Sequence, residues 1–126
     1  MKMNELSKEQ AEALRRKQAV LDRGLYTPIP HALYRNKLPA MNERYSKQDV
    51  RDALFIYGLL CAYVNGQSDK DVYMWAFLTV DQIVDMSGIA RNRIKRLSDI
   101  LEQEALLYTE TKRVANGRKK FYMPLL

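Results

Sequence analysis

Apolar residues recur at helical spacing from the start of the chain. After Ser7, the positions Ala11, Leu14, Leu21 and Leu25 form a narrow stripe, with Gln10 placed as a capping-box partner and Gly24 as a stop. Glu5, Glu9 and Glu12 come early and Arg15, Arg16, Lys17 and Arg23 late, which suits the helix dipole. So narrow a stripe fits a helix lying on a surface, as a strap on the core, a dimer arm or a basic helix against phosphates. Residues 26–44 read as irregular, because Pro28, Pro30 and Pro39 exclude a long helix. Pro30 is able to open one short turn through His31, Ala32, Leu33 and Tyr34.

Ser46, with Asp49 three residues on, opens the most apolar helix. Leu54, Phe55, Ile56, Tyr57, Leu59, Leu60, Cys61, Tyr63 and Val64 cover most of its circumference, so it is expected at the centre and buried, ending at Asn65-Gly66. A polar loop over 67–71 leads into a short aromatic strand, Val72 to Leu78, containing Trp75 and Phe77. Thr79 with Gln82 is a second capping box, and Ser87-Gly88 separates its helix from another running from about Ala90 to Glu104. Leu106 to Val114 and Lys119 to Met123 then alternate as two strands around Asn116-Gly117, the strongest short-range hairpin signal. The expected class is α+β and mainly helical. Its order of helix, strand, helix, helix, strand, strand is that of a winged helix, with one extra amino-terminal helix.

Spacing also marks residues 79–104 as a helix-turn-helix. Gly88 accommodates the left-handed backbone of a sharp turn. Ile83 and Val84 before it, and Ile89, Ile94 and Leu97 after it, pack two short helices on a third. Val84 stands where alanine is usual. With Ile94 and Leu97 inward, Arg91, Asn92, Arg93, Lys95 and Arg96 are expected to point mostly outward. Recognition helices present their first residues to the major groove, where Arg pairs with guanine and Asn with adenine bidentately. Arg91, Asn92, Arg93 and Arg96 are therefore the candidate base readers, and Lys95 a phosphate contact. On an isolated helix such a face would be ordinary solvated surface. Behind a helix-turn-helix it becomes a binding face. Arg113, Arg118, Lys119 and Lys120 flank Asn116 and Gly117, so cations without acids cluster at a hairpin tip able to lie along phosphates or enter a minor groove. Leu106, Leu107, Phe121 and Met123 anchor its inner end.

Composition sharpens this picture. A length of 126 residues fits one core, and 47% apolar with 29% charged content is that of a globular chain. One cysteine excludes an internal disulfide framework and any cysteine-based zinc site, and fits a reducing compartment. The amino terminus is charged and lacks a signal-type apolar core, while Ala53–Val64 is too short to span a bilayer, so a cytoplasmic location without membrane contact is expected. The net charge of +6 favours polyanions. Its distribution matters more: residues 46–78 hold three basic and four acidic side chains, and residues 88–120 nine basic and four acidic.

Nothing assembles a catalytic, metal or cofactor site. His31 is the sole histidine, lies in a proline-rich stretch and has no nucleophile motif beside it. Cys61 sits in the most apolar helix as an inert thiol. The glycines are scattered and form no phosphate loop. Asp81 with Asp85, and Asp69 with Asp71, read as solvated surface. Tyr57, Tyr63 and Trp75 read as core, and Tyr108 and Tyr122 as hairpin packing more than as a stacking platform for single strands. An enzyme is not expected.

The segment "LTVDQIVDMSGIARNRIKRLSDILEQEALL" followed by a hairpin, Leu78 to Leu126, resembles the helix-turn-helix and wing of bacterial winged-helix proteins. Upstream, "YTPIPHALYRNKL" and "ALFIYGLLCAYVNG" are similar in layout to the amino-terminal domain of plasmid replication initiators of the RepA type. The resemblance covers residues 26–126 and implies double-stranded DNA as partner, in replication, partition or transcription control of a plasmid or phage. Such initiators carry a further carboxyl-terminal domain, so the chain is expected to be a fragment or a shorter relative. Residues 1–25 would be a separate amino-terminal helix and residues 26–126 the winged-helix domain. The usual geometry of such modules implies a homodimer. The competing expectation is an adaptor that contacts a replication or partition protein.

Overall fold

A computed structural model of the chain describes residues 7–24, 29–64, 75–114 and 117–125. Ser7 caps the first helix, α1 (Lys8–Arg23), through the expected capping box with Gln10, and Gly24 closes it in the left-handed conformation. α1 buries none of its residues, and Leu14, Val20 and Leu21 are exposed.

The stretch expected to be irregular up to Arg44 is instead largely helical. His31 and Ala32 begin it, Leu33–Lys37 continues as a π-helix, and α2 (Leu38–Arg44) comes directly after. The wide turn explains how Pro39 fits. Proline lacks an amide hydrogen and its ring collides with the carbonyl one α-turn back. A π-turn, closed here by the Leu38 amide donating to the Leu33 carbonyl, inserts one residue just before that point. Pro39 then stands in the first turn of α2, where no intrahelical donor is required.

Ser46 caps α3 (Lys47–Ala62) by accepting from the Asp49 amide. The helix ends with Tyr63 as its cap, and the expected Asn65-Gly66 stop lies outside the described residues. Its burial is one-sided rather than all round. Val50, Ala53, Leu54, Ile56, Tyr57 and Leu60 are buried, whereas Phe55 and Tyr63 are more than half exposed. An apolar position on α3 is covered only where another element packs, and Tyr34 and Leu38 flank Phe55 across a shallow groove without enclosing it. The Tyr57 hydroxyl donates to the Leu125 carbonyl at 2.7 Å, which ties α3 to the last described residue, and burial pushes its pKa up. Cys61 is half-buried, and burial raises its thiol pKa as well.

Thr79 and Gln82 form the expected capping box on α4 (Val80–Ser87), and Gly88 turns the chain at φ 72°. α5 (Arg91–Gln103) comes next, with Ala90 as its cap. Strand β1 (Leu107–Val114) pairs antiparallel with β2 (Gly117–Pro124). The register sets Val114 opposite Gly117, so Gly117 belongs to β2 and not to the turn expected at Asn116-Gly117. Asn116 lies outside the described residues. Of the expected aromatic strand, residues 72–74 lie outside them too. The remainder of that segment forms a single bridge, in which Ala76 and Tyr122 exchange two hydrogen bonds of 2.7 Å. Trp75 and Phe77 pack edge-on against Phe121.

The described residues therefore form a mainly helical α+β fold, consistent with a winged-helix arrangement. α3 packs on α2, α4, α5 and β2, so the core lies around α3 and α5 with the hairpin folded against them. Among the described residues no helix is long and apolar enough to cross a membrane.

α5 ends in a Schellman motif. The Leu106 amide donates to the Leu101 carbonyl at 2.9 Å and the Ala105 amide to Glu102 at 3.1 Å, while Ala105 is forced to φ 59°. Its side chain is exposed and contributes no packing. A left-handed alanine costs on the order of 1 kcal/mol, part of which glycine gives back as greater freedom of the unfolded chain. Ala105→Gly is therefore expected to stabilise the fold by about 0.5 kcal/mol, measured as a higher urea midpoint at unchanged slope. A lower midpoint would contradict this account of the turn.

Candidate nucleic-acid interface

The interface starts from the way α5 is seated. Ile94, Leu97, Ile100 and Leu101 are buried against α3 and α4, which turns the side bearing Arg91, Asn92, Lys95 and Arg96 to solvent. β2 runs beside that face. Arg91, Lys95 and Lys120 surround a cleft between α5 and β2, with Val80, Ile94 and Tyr122 as its apolar walls. The cleft continues along Thr79 and Val80 towards Arg118 and Lys119. Ser98, also at the cleft, is buried and its Oγ has no hydrogen-bond partner among the described residues. Burial also raises the pKa of the Tyr122 phenol in the wall.

The hairpin register adds an electrostatic feature. Arg113 stands directly opposite Arg118. Like charges placed across a strand pair repel and destabilise it. Both arginines are exposed, and alternation puts Arg118 and Lys120 on one face of β2. Lys119 lies on the other face, 4.4 Å from the centre of the Phe77 ring, where cation–π attraction holds it. Lys120 lies 5.4 Å from the Tyr122 ring, beside the cleft.

The expected readers on α5 are not equivalent. Asn92 is exposed. Arg91 pairs with Asp81 of α4, and Lys95 pairs with Asp99 at 3.1 Å, one turn further along its own helix. All four of these charged side chains are substantially exposed. Arg93 departs from the outward expectation. Its side chain is 26% exposed and bridges two acids of α3, meeting Asp49 at 2.8 Å and Asp52 at 2.5 Å. Arg96 is exposed, yet it too reaches Asp49, at 2.9 Å. The hydrogen bond from Arg93 holds the Asp49 carboxyl below its ordinary range, and the two acids raise the Arg93 pKa.

Sequence reasoning missed Asp49 and Asp52, and treated Asp81 as plain surface. The first two sit three residues apart at the start of α3, a spacing that puts both on one side, but only the crossing of α3 with α5 shows what they meet. It also missed Glu104. This carboxylate is 7% exposed at the end of α5 and gathers Arg44, Lys37 at 3.2 Å and the Tyr45 hydroxyl at 3.0 Å, which fastens α2 to the far end of the same helix.

No family model matches the chain, and no curated protein matches it significantly. Among solved structures it is similar to one described as "N-Terminal domain of DNA binding protein". The TM-score is 0.51 at 13% sequence identity, over 80% of this chain and 76% of the other. At that identity the likeness is one of fold.

Proposed function

We propose that this chain binds double-stranded DNA, with α5 in the major groove and the β1–β2 hairpin as a wing along the adjacent backbone. One observation carries the reading: the solvent face of α5 and the cationic strand β2 converge on one cleft, with Arg91, Lys95 and Lys120 around it. A recognition helix and a wing must present their charges together if one stretch of duplex is to meet both. The structural neighbour, described as a domain of a DNA binding protein, agrees with this use of the fold. In this reading Arg91, Asn92 and Arg96 face base edges, while Lys95, Arg113, Arg118, Lys119 and Lys120 meet phosphates.

The wider proposal is a non-enzymatic, cytoplasmic, DNA-associated bacterial protein acting in plasmid or phage replication, partition or transcription. It would work as a homodimer, with the exposed apolar stripe of α1 as the interface. A second reading, an adaptor for another replication or partition protein, draws on the exposed Tyr34 and Phe55, which line a shallow groove with Leu38 and Leu54.

Selection from a random duplex library at low salt separates the two. DNA reading is expected to return a defined motif whose scrambled version binds at least tenfold more weakly, the discrimination that one mismatched base pair already supplies. Retention of no duplex even at low salt would overturn the proposal and favour the adaptor.

A further inference from the structure

The acids beneath α5 carry a further reading, which rests on the DNA-binding proposal. Asp49 is held in place by its own helix start, because the Ser46 hydroxyl accepts from its amide at 3.1 Å. Its carboxylate is 11% exposed and takes up two guanidiniums of α5. Arg93 donates through Nη2 at 2.8 Å and Arg96 through Nε at 3.0 Å, with Arg96 Nη2 ion-paired to the same Asp49 oxygen at 2.9 Å.

The two arginines are left in different states. Arg93 commits its other terminal nitrogen to Asp52 and is largely covered. Arg96 is gripped along its Nε edge alone and stays 67% exposed, so the end of its guanidinium faces outward. A free arginine samples many rotamers and settles on any nearby phosphate. One gripped along an edge keeps few orientations, and its planar end remains matched to the paired acceptors of guanine.

We propose that Asp49 is a positioning residue that determines sequence preference. It keeps Arg93 back as a structural cation and aims the free end of Arg96 at one base. Arg93 is then removed from the set of base readers.

The test compares affinity for the selected site with that for a scrambled duplex. Asp49→Asn removes the charge that grips both arginines. Scrambled-duplex affinity is expected to hold or rise, selected-site affinity to fall, and the ratio to drop about tenfold, the order of one lost bidentate base contact. Arg96→Gln is expected to lose the ratio to the same extent, and Arg93→Gln to keep it within about threefold, short of one base contact. A merely structural role for Asp49 would lower both affinities together and leave the ratio intact, which would overturn the proposal. So would Arg93→Gln losing as much preference as Arg96→Gln, a comparison that stands even where Asp49→Asn fails to fold. If the unaltered protein binds no duplex, the DNA-binding reading falls and this proposal with it. If it binds and Asp49→Asn discriminates as before, this proposal alone falls.

Discussion

Raising salt from about 50 to 200 mM is expected to weaken binding to a duplex by about five-hundredfold. The figure comes from the cations that face the cleft and the wing. Five side chains are placed to meet phosphates: Lys95, Arg113, Arg118, Lys119 and Lys120. Each phosphate neutralised releases condensed counterions, so five contacts set a slope of about −4.5 for log affinity against log salt. Lys95 already has an acidic partner, but Asp99 is an exposed carboxylate whose attraction is weak in water. A phosphate replaces it at little cost. The wing is arranged to gain from the exchange. Arg113 faces Arg118 across the strands, so a polyanion laid along the hairpin relieves repulsion present in the free protein. Removing one wing charge, as in Lys120→Ala, should make the slope shallower by about one and weaken all duplexes alike. Isothermal titration or fluorescence anisotropy over several salt concentrations reads the slope directly. A slope near zero would mean that the cations of α5 and β2 do not meet phosphate.

Much of the frame that presents these charges is local, and local features are legible in a sequence. The Ser7–Gln10 and Thr79–Gln82 boxes, the Ser46 cap, the Gly88 turn and the alternation along the hairpin each depend on residues within one turn or one strand pair. The structure reproduces them with helix ends shifted by a residue or so. What escaped depends on encounters between distant segments. Pro39 argues against helix only while the backbone is assumed to keep α-geometry, and one π-turn removes the conflict. Arg93 resembles its neighbours until α3 is laid across α5 and supplies Asp49 and Asp52 from more than 40 residues away. Phe55 and Tyr63 look like core in a helical projection, yet no described element encloses them and more than half of each stays exposed. The candidate interface was thus legible as a set of cations, but not as free and restrained members of that set.

Glu104→Gln is expected to cost about 2 kcal/mol of stability near neutral pH, which lowers the melting temperature by about 8 °C. The carboxylate is buried at the carboxyl end of α5. It accepts from Arg44 Nε at 3.2 Å and also from Arg44 Nη2, from the Tyr45 hydroxyl at 3.0 Å and from Lys37 at 3.2 Å. Each of these groups is a donor. An amide there offers two hydrogens where only acceptors are wanted, and it removes the charge opposite Arg44 and Lys37. Those cations also stand at the carboxyl end of α5, where they complement the helix dipole and oppose fraying. The hydrogen bonds from Arg44, more than the other partners, hold the Glu104 carboxyl below its ordinary pKa of 4.5. A carboxyl whose pKa is depressed on folding binds fewer protons in the native state than in the unfolded one. Its contribution is therefore complete above about pH 4.5 and is lost as pH falls through the native value. The variant should thus differ most from the unaltered protein at neutral pH, and the two should converge in acid. Asp49, shifted in the same direction, continues to weaken both. Urea unfolding at pH 7 and at about pH 3 measures the difference at each end. A gap of the same size at both pH values would show that the loss comes from packing and not from the buried charge that fastens α2 to α5.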